Sequence, residues 1–345
     1  MNDTITSETS YAKVMNALQG KPNSRVPFGM LLSLYGKNYV KESIDTYYAN
    51  PEVYFKGQTQ IIHKFNPDII STPFVLAYDG KVFGSELKHF KNSPPQIRKP
   101  ACNDYRDINK IKTPDLTNPC QQYILETANL LSSKYKNDKL IAGLMLSNID
   151  MPALIMGIEG WLDTLLFHEE NAIELLKKTT DYFVAFANEM FRRGIDVLVI
   201  PNMFSNPSII TNAIMDNITL EFLINGLRKV NGPVIIHHGG ARLGHFLQYY
   251  TNLPNVIGFA IDSSDDFHSS RKRIGNKLLL GNIDMKIISN KTPAIIERHT
   301  RSILEEQKQD RNYIFYNANA DIMLETPEEN IMAVCNTINS FELQN

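Results

Sequence analysis

The sequence predicts an α/β fold, a (β/α)8 TIM barrel, on three observations. Eight short apolar runs rich in β-favouring residues recur along its 345 residues. Most are separated by amphipathic stretches at helical spacing, and the runs are apolar on both faces rather than alternating. Strands buried on both faces and interleaved with helices belong to a parallel sheet covered by helices. Eight of them in this length point to a barrel. A doubly wound open sheet would carry a Gly-rich phosphate loop after its first strand, and "GMLLSLYGKN" has neither the GxGxxG nor the GxxxxGK pattern.

Taken in order, the runs are "VPFGMLL", "PDIISTP", "KLIAGLML", "VLVIPN", "VIIHHG", "VIGFAID", "KLLLGNID" and "YIFYNAN". Between the second and third lies a segment from about Val75 to Pro114 with a "DG" pair at Asp79–Gly80 and a Pro pair at Pro94–Pro95. It reads as an excursion with hairpin-like turns after the second strand. "LIAGLMLSNIDMPALIMGI" is long and apolar, but Asn148, Asp150 and Pro152 make it a strand, a loop and a helix start rather than a membrane span. In "EENAIELLKKTTDYFVAFANEMFRRG" the residues Ile173, Leu176, Tyr182, Phe183 and Phe186 mark one helical face, and Gly194 stops the helix. Residues 1–345 are expected to form a single barrel domain with a short polar tail over about the first ten residues.

A 43% hydrophobic content supports a large core, and 35 Lys and Arg against 37 Asp and Glu leave no basic footprint for nucleic acid or an anionic membrane. A small-molecule partner is expected instead. Cys102, Cys120 and Cys335 are odd in number and far apart, which argues against a disulfide framework and fits a reducing compartment. "MNDTITSETS" lacks a basic start and an apolar core, so a cytoplasmic location is expected.

In a barrel, chemistry gathers where strands end. Those ends carry Thr72, Asn148, Asn202, His237, Asp262, Asn282, Asp284, Asn317, Asn319 and Asp321. Asn, Asp and Ser are also ordinary caps and turn formers, so each taken singly has a structural reading. His237 differs, because imidazole caps poorly and the apolar run before it carries it out of the core. Side-chain alternation places His238 on the opposite face, towards the helices, if His237 faces the axis. Gly239 and Gly240 allow a close backbone approach or a turn with positive φ. "DSSDDFHSS" reads as a solvated helix start, and no GxSxG, HExxH, EF-hand or paired CxxC pattern is present.

The order of "RVPFGMLL", "NPDIISTP", "RRGIDVLVIPNMFSNPSII", "GPVIIHHGG", "GNKLLLGNIDM" and "ETPEENIMAV" resembles the uroporphyrinogen decarboxylase superfamily, and within it the corrinoid-dependent methyltransferase branch that includes methylcobamide:coenzyme M methyltransferases. The resemblance covers most of the chain and independently implies the barrel. It implies methyl transfer between a corrinoid (cobalamin) and a small substrate, with a corrinoid protein as a partner; the sequence leaves open whether the chain forms a homodimer.

In that branch the fifth strand ends in His-x-Cys-Gly, and a second Cys precedes the TP-x-EN helix; together they hold zinc. The His maps to His237, the first Cys position to Gly239 and the second to about Ala320, so both thiolates are missing here. A retained metal would need Asp321, Asp262 or Asn319 beside His237, a harder N/O site. Without metal, His237 is a candidate general base or hydrogen-bond donor. The expected site is therefore His237, Asp262 and Asn202 for catalysis, Asn148, Asn282, Asp284 and Asn319 for substrate, and His237 with Asp321 for a metal. The decarboxylase of the superfamily uses an Arg-rich N-terminal stretch for its polycarboxylate substrate, and "PFGMLLSLYG" has no Arg. Decarboxylation is therefore disfavoured. The competing readings are a divergent barrel lyase or metal-dependent oxidative enzyme without corrinoid, or a non-catalytic binding member.

Overall fold

A computed structural model describes residues 8–343. The first seven residues of the expected polar tail lie outside the described residues, and Ser10 already opens helix α1 (Ser10–Leu18), capped by the Thr9 side chain.

Seven parallel strands form one curled sheet: β1 (Ile69–Ser71), β4 (Leu140–Leu144), β5 (Val197–Pro201), β6 (Val234–His237), β7 (Val256–Ala260), β8 (Leu278–Asp284) and β9 (Tyr313–Ala318), adjacent in that order. Seven of the eight expected runs are thus strands. The first run, "VPFGMLL", is reduced to single parallel bridges, Phe28 with Phe315 and Gly29 with Ile69. These bridges touch both edge strands, β9 on one side and β1 on the other. The Gly29 amide donates to the Phe315 carbonyl at 2.9 Å, the Phe315 amide to Pro27 at 2.9 Å, and the Asp68 amide to Phe28 at 2.8 Å. Pro27 has no amide hydrogen to extend the ladder. A Cβ on Gly29 would lie 2.6 Å from the Tyr316 ring, so only glycine fits there.

Asp68 secures this junction. Fully buried, it accepts two bonds from the Arg25 guanidinium, at 2.6 and 2.9 Å, and one from the Phe28 amide at 2.8 Å. A bidentate pair satisfies the buried charges in fixed geometry.

Between β1 and β4 the chain leaves the sheet for an antiparallel pair, β2 (Glu86–Lys88) with β3 (Gln96–Lys99), and a short 3₁₀ turn (Tyr105–Lys110). The expected turn at Asp79–Gly80 is corrected: both residues lie in a short helix (Ala77–Lys81), and the hairpin turns further on, between Lys88 and Gln96. The Asp79 carboxylate is buried there and accepts the Leu146 amide at 2.8 Å, a tertiary bond that overrides the local turn preference. Burial pushes its carboxyl up to about 7, against the two hydrogen bonds it accepts.

The long helix spans Glu169–Arg192, with Leu176, Tyr182, Phe183 and Phe186 buried and Gly194 left-handed just beyond its end. No described helix is long and apolar enough to cross a membrane. At the N-terminal end of the strands, Val14 and Ala17 of α1 pack on Ile69, Leu140, Val197, Ile235 and Ile314, so α1 plugs that end of the sheet.

Replacing Arg25 with Ala strands a buried carboxylate and is expected to cost about 3–5 kcal/mol of stability. Denaturant unfolding of the wild type and Arg25→Ala, read by circular dichroism, measures it.

Candidate active site

Val234, Ile235 and Ile236 are buried, and β6 ends at His237, the first residue of that strand with partial exposure. The chain then reverses through Gly239 (φ 65°) and Gly240 (φ 94°). The Gly239 amide donates to His237 Nδ1 and the Gly240 amide to His238 Nδ1, each at 3.0 Å. The two rings stack with centroids 4.3 Å apart and planes 28° apart.

This corrects the expectation for His238. Alternation holds only while the chain stays extended, and the strand ends at His237. The His238 ring is fully buried on the strand-end side, with Nε2 3.0 Å from the Asn319 amide and Nδ1 3.6 Å from the Asp262 carboxylate. Both of its nitrogens therefore face backbone amides. A neutral imidazole accepts at one nitrogen only, so one of these contacts is a close approach and not a hydrogen bond.

For His237 the Gly239 amide occupies Nδ1, which leaves Nε2 as the protonated nitrogen of the neutral ring. Burial, and then the neighbouring His238 ring, hold the His237 pKa well below the usual imidazole value, against a smaller pull from the Asn319 backbone. Burial also lowers His238, opposed by the Asp262 and Asp265 carboxylates. Burial works to raise Asp262, but hydrogen bonds from the Ser264 hydroxyl and amide, and His238 beyond them, bring it below the ordinary carboxylate value.

Below His237 the sheet encloses a cavity of about 290 Å³. Its wall is almost wholly hydrocarbon, with Ala142, Leu144, Val199, Ala260 and Leu280 pointing inward. His237, Asn319 and Tyr316 are the polar side chains on it, and none of the described residues lining it is Lys, Arg, Asp or Glu.

Of the expected site residues, His237 and Asn319 line this cavity. Asp262 stands behind His238. Asp284 caps the helix that follows β8, its side chain accepting the Lys286 amide at 2.8 Å. The other expected residues are engaged elsewhere. Asn202 donates to the Tyr250 hydroxyl at 2.7 Å, Asn282 to the backbone of Asp262 and Asp265, and Asn148 to Thr180 and the Phe222 carbonyl between two helices. Asp150, read from sequence only as a helix-start residue, accepts the amides of Met203, Phe204 and Ser205 and so shapes the loop after β5. Burial raises its carboxyl to about 6 against those three bonds. The run of Asp and Ser after β7 is a helix start, with Asp266 capping Phe267–Ile274.

Residues 9–341 match the family described as uroporphyrinogen decarboxylase (URO-D). The chain belongs to the uroporphyrinogen decarboxylase family. Its curated relatives include the methylcobamide:CoM methyltransferase MtbA of Methanosarcina acetivorans, 23% identical over 69% of this chain and 71% of that protein. They also include a uroporphyrinogen decarboxylase of Vesicomyosocius okutanii, 24% identical over 95% of this chain and 97% of that one. A methyltransferase from Methanosarcina mazei has the same fold, with a TM-score of 0.86 at 18% identity across 96% of this chain and 99% of the other.

The zinc site implied by the sequence resemblance does not fit this member of the uroporphyrinogen decarboxylase family. A Cβ on Gly239 would lie 2.6 Å from the Asn202 carbonyl oxygen, and the residue sits in the left-handed region. The backbone therefore excludes a cysteine there. Asp321 accepts the Leu34 amide at 2.8 Å and is not among the residues that line the cavity with His237. Among the described residues no group of three or more His, Cys, Asp or Glu side chains is arranged to hold a metal. Cys102 and Cys335 are buried on other elements, and burial pushes their thiols up to about 11 and about 12.

The paired substitution Gly239→Cys with Ala320→Cys is expected to bind well under one equivalent of zinc, measured by metal analysis after gel filtration. Gly239→Cys alone is expected to lose about 1–3 kcal/mol of stability from strain at that turn.

Proposed function

We propose that this protein is a methyltransferase that moves a methyl group between a corrinoid and a small molecule held beneath His237. One observation carries the reading within the family. The cavity at the strand ends is uncharged and lined almost wholly by hydrocarbon, which suits a neutral methyl-bearing molecule as the substrate. It offers no guanidinium or ammonium for a polycarboxylate substrate, whose anions would be left unpaired on burial. Arg25, the nearest arginine in sequence to the first run, is already committed to Asp68.

The cavity volume admits a small molecule and falls well short of a corrin macrocycle, so the corrinoid is assigned to the outside of the mouth, carried by a partner protein or docked freely. Exposed apolar side chains on the loops after β5 and β9, Ile209 and Met323, are available to meet it. A corrinoid, when bound, supplies the cobalt centre that carries the methyl group.

The chain's own contribution is positional. His237 Nε2–H donates a hydrogen bond to the heteroatom, which keeps the electron pair of the broken bond as the methyl group leaves formally as a cation and then takes a proton from water at the mouth. Asp262 positions His238 and, through the ring stack, His237. Asn202 supports the Gly239 turn through its backbone, while Asn319 and Asp284 border the opening. No metal enters this scheme. It treats residues 1–345 as one (β/α)8 barrel domain, with residues 28–29 in the remaining strand position.

The test follows the absorption spectrum of methylcobalamin or cob(I)alamin with the purified protein and a panel of thiols and methyl ethers. Interconversion of the two spectra is expected, and His237→Ala should slow it about 10²-fold. Corrinoid that neither binds nor changes spectrum would favour the corrinoid-independent barrel enzyme.

A further inference from the structure

The interior of this barrel is hollow where bulky branched side chains ordinarily fill the layers. Two inward positions of the cavity layer are alanines, Ala142 on β4 and Ala260 on β7, and the space between them is not closed by Leu144, Val199 or Leu280. A void of about 290 Å³ forfeits packing contacts all along its lining, so leaving it unfilled is costly. At the N-terminal end the sheet is plugged by α1, so the opening is at the strand ends, beside His237 and Asn319.

The wall states what can enter. An anion would find no Lys or Arg among the lining residues, and a cation no Asp or Glu. Either would be desolvated without a partner. An apolar cavity of about 150 Å³ takes one benzene, so this one has room for about a dozen non-hydrogen atoms. His237 and Asn319 stand at the strand-end opening, where His237 offers a hydrogen-bond donor, and Tyr316 adds a phenol to the wall.

We propose that the cavity binds a neutral, mainly hydrocarbon molecule the size of a substituted benzene ring, with its one hydrogen-bond acceptor turned towards His237 and its apolar body between Ala142 and Ala260. Identifying that molecule as the methyl-exchanging substrate rests on the proposed function; its binding does not. An ether or ester oxygen is the acceptor that suits this end, because it accepts from Nε2–H and carries no charge into the hydrocarbon wall.

The experiment measures binding to the full chain without corrinoid, by calorimetry at pH 7.5. The probes are anisole, 1,2-dimethoxybenzene and methyl 2-methoxybenzoate, with 2-methoxybenzoate as the anion of similar size. At least one neutral probe is expected to bind with Kd below about 1 mM, and at least tenfold more tightly than the anion. Ala260→Phe, which fills the space, should weaken that binding at least tenfold. Ala142→Leu serves as a second filler, and thermal shift of the wild type by the same probes provides a readout that needs no variant. Neutral probes that bind no better than the anion, or binding unchanged in a folded filler variant, would overturn the assignment. Tight neutral binding with no methyl exchange when corrinoid is added would leave the cavity assignment standing and remove the methyl-transfer reading. Methyl exchange confined to an anionic substrate would do the reverse.

Discussion

The reversal of the chain at Gly239 is the constraint on which the mouth of this protein depends. A residue with a Cβ cannot stand 2.6 Å from the Asn202 carbonyl, and only glycine adopts the left-handed turn there at little cost. Because the turn is that tight, its two amides point back at the two imidazoles, and the Gly239 amide settles the hydrogen bonding of His237. The same geometry denies the site a thiolate at this position. One backbone feature therefore brings both rings to the strand ends, assigns the His237 proton to Nε2 and removes the chemistry of a thiolate-held metal.

The rest of the architecture keeps the space below that turn open and lined by hydrocarbon. The Arg25–Asp68 pair holds residues 25–28 against β1, where a regular strand would otherwise have to close the sheet with a full ladder. Helix α1 seals the other end with Val14 and Ala17. With the floor closed, the walls aliphatic and the roof a neutral ring, electrostatic interactions inside are weakly screened. The donor at His237 then has more influence than it would in water.

Much of the fold was legible because burial on both faces leaves a continuous apolar run, and seven such runs are strands. The first run was less so: its pattern is apolar, but Pro27 and Gly29 allow only isolated bridges, and that depends on Tyr316 far along the chain. The site was legible to a smaller degree. His237 is conspicuous as an imidazole after three buried aliphatics, and Asn319 as a polar strand end. Asn148, Asn202 and Asn282 have the same local signature, yet their amides are taken by Thr180, Tyr250 and the Asp262 and Asp265 carbonyls, partners that only the tertiary structure brings close. Asp79 shows the converse. A pair that is locally a turn becomes helical because a distant amide, Leu146, needs its carboxylate. The cavity itself has no sequence signature beyond small residues at inward positions, since alanine in a strand is equally common where a neighbouring side chain fills the gap.

The account turns on His237 being a neutral ring protonated at Nε2. Nitrogen NMR of the protein with labelled histidine, followed from pH 8 down to 5.5, measures this directly. The account predicts one imidazole, absent in His237→Gln, that keeps the Nε2–H tautomer and does not titrate across that range. A His237 signal that protonates near pH 6.5, or that carries its proton on Nδ1, would contradict it.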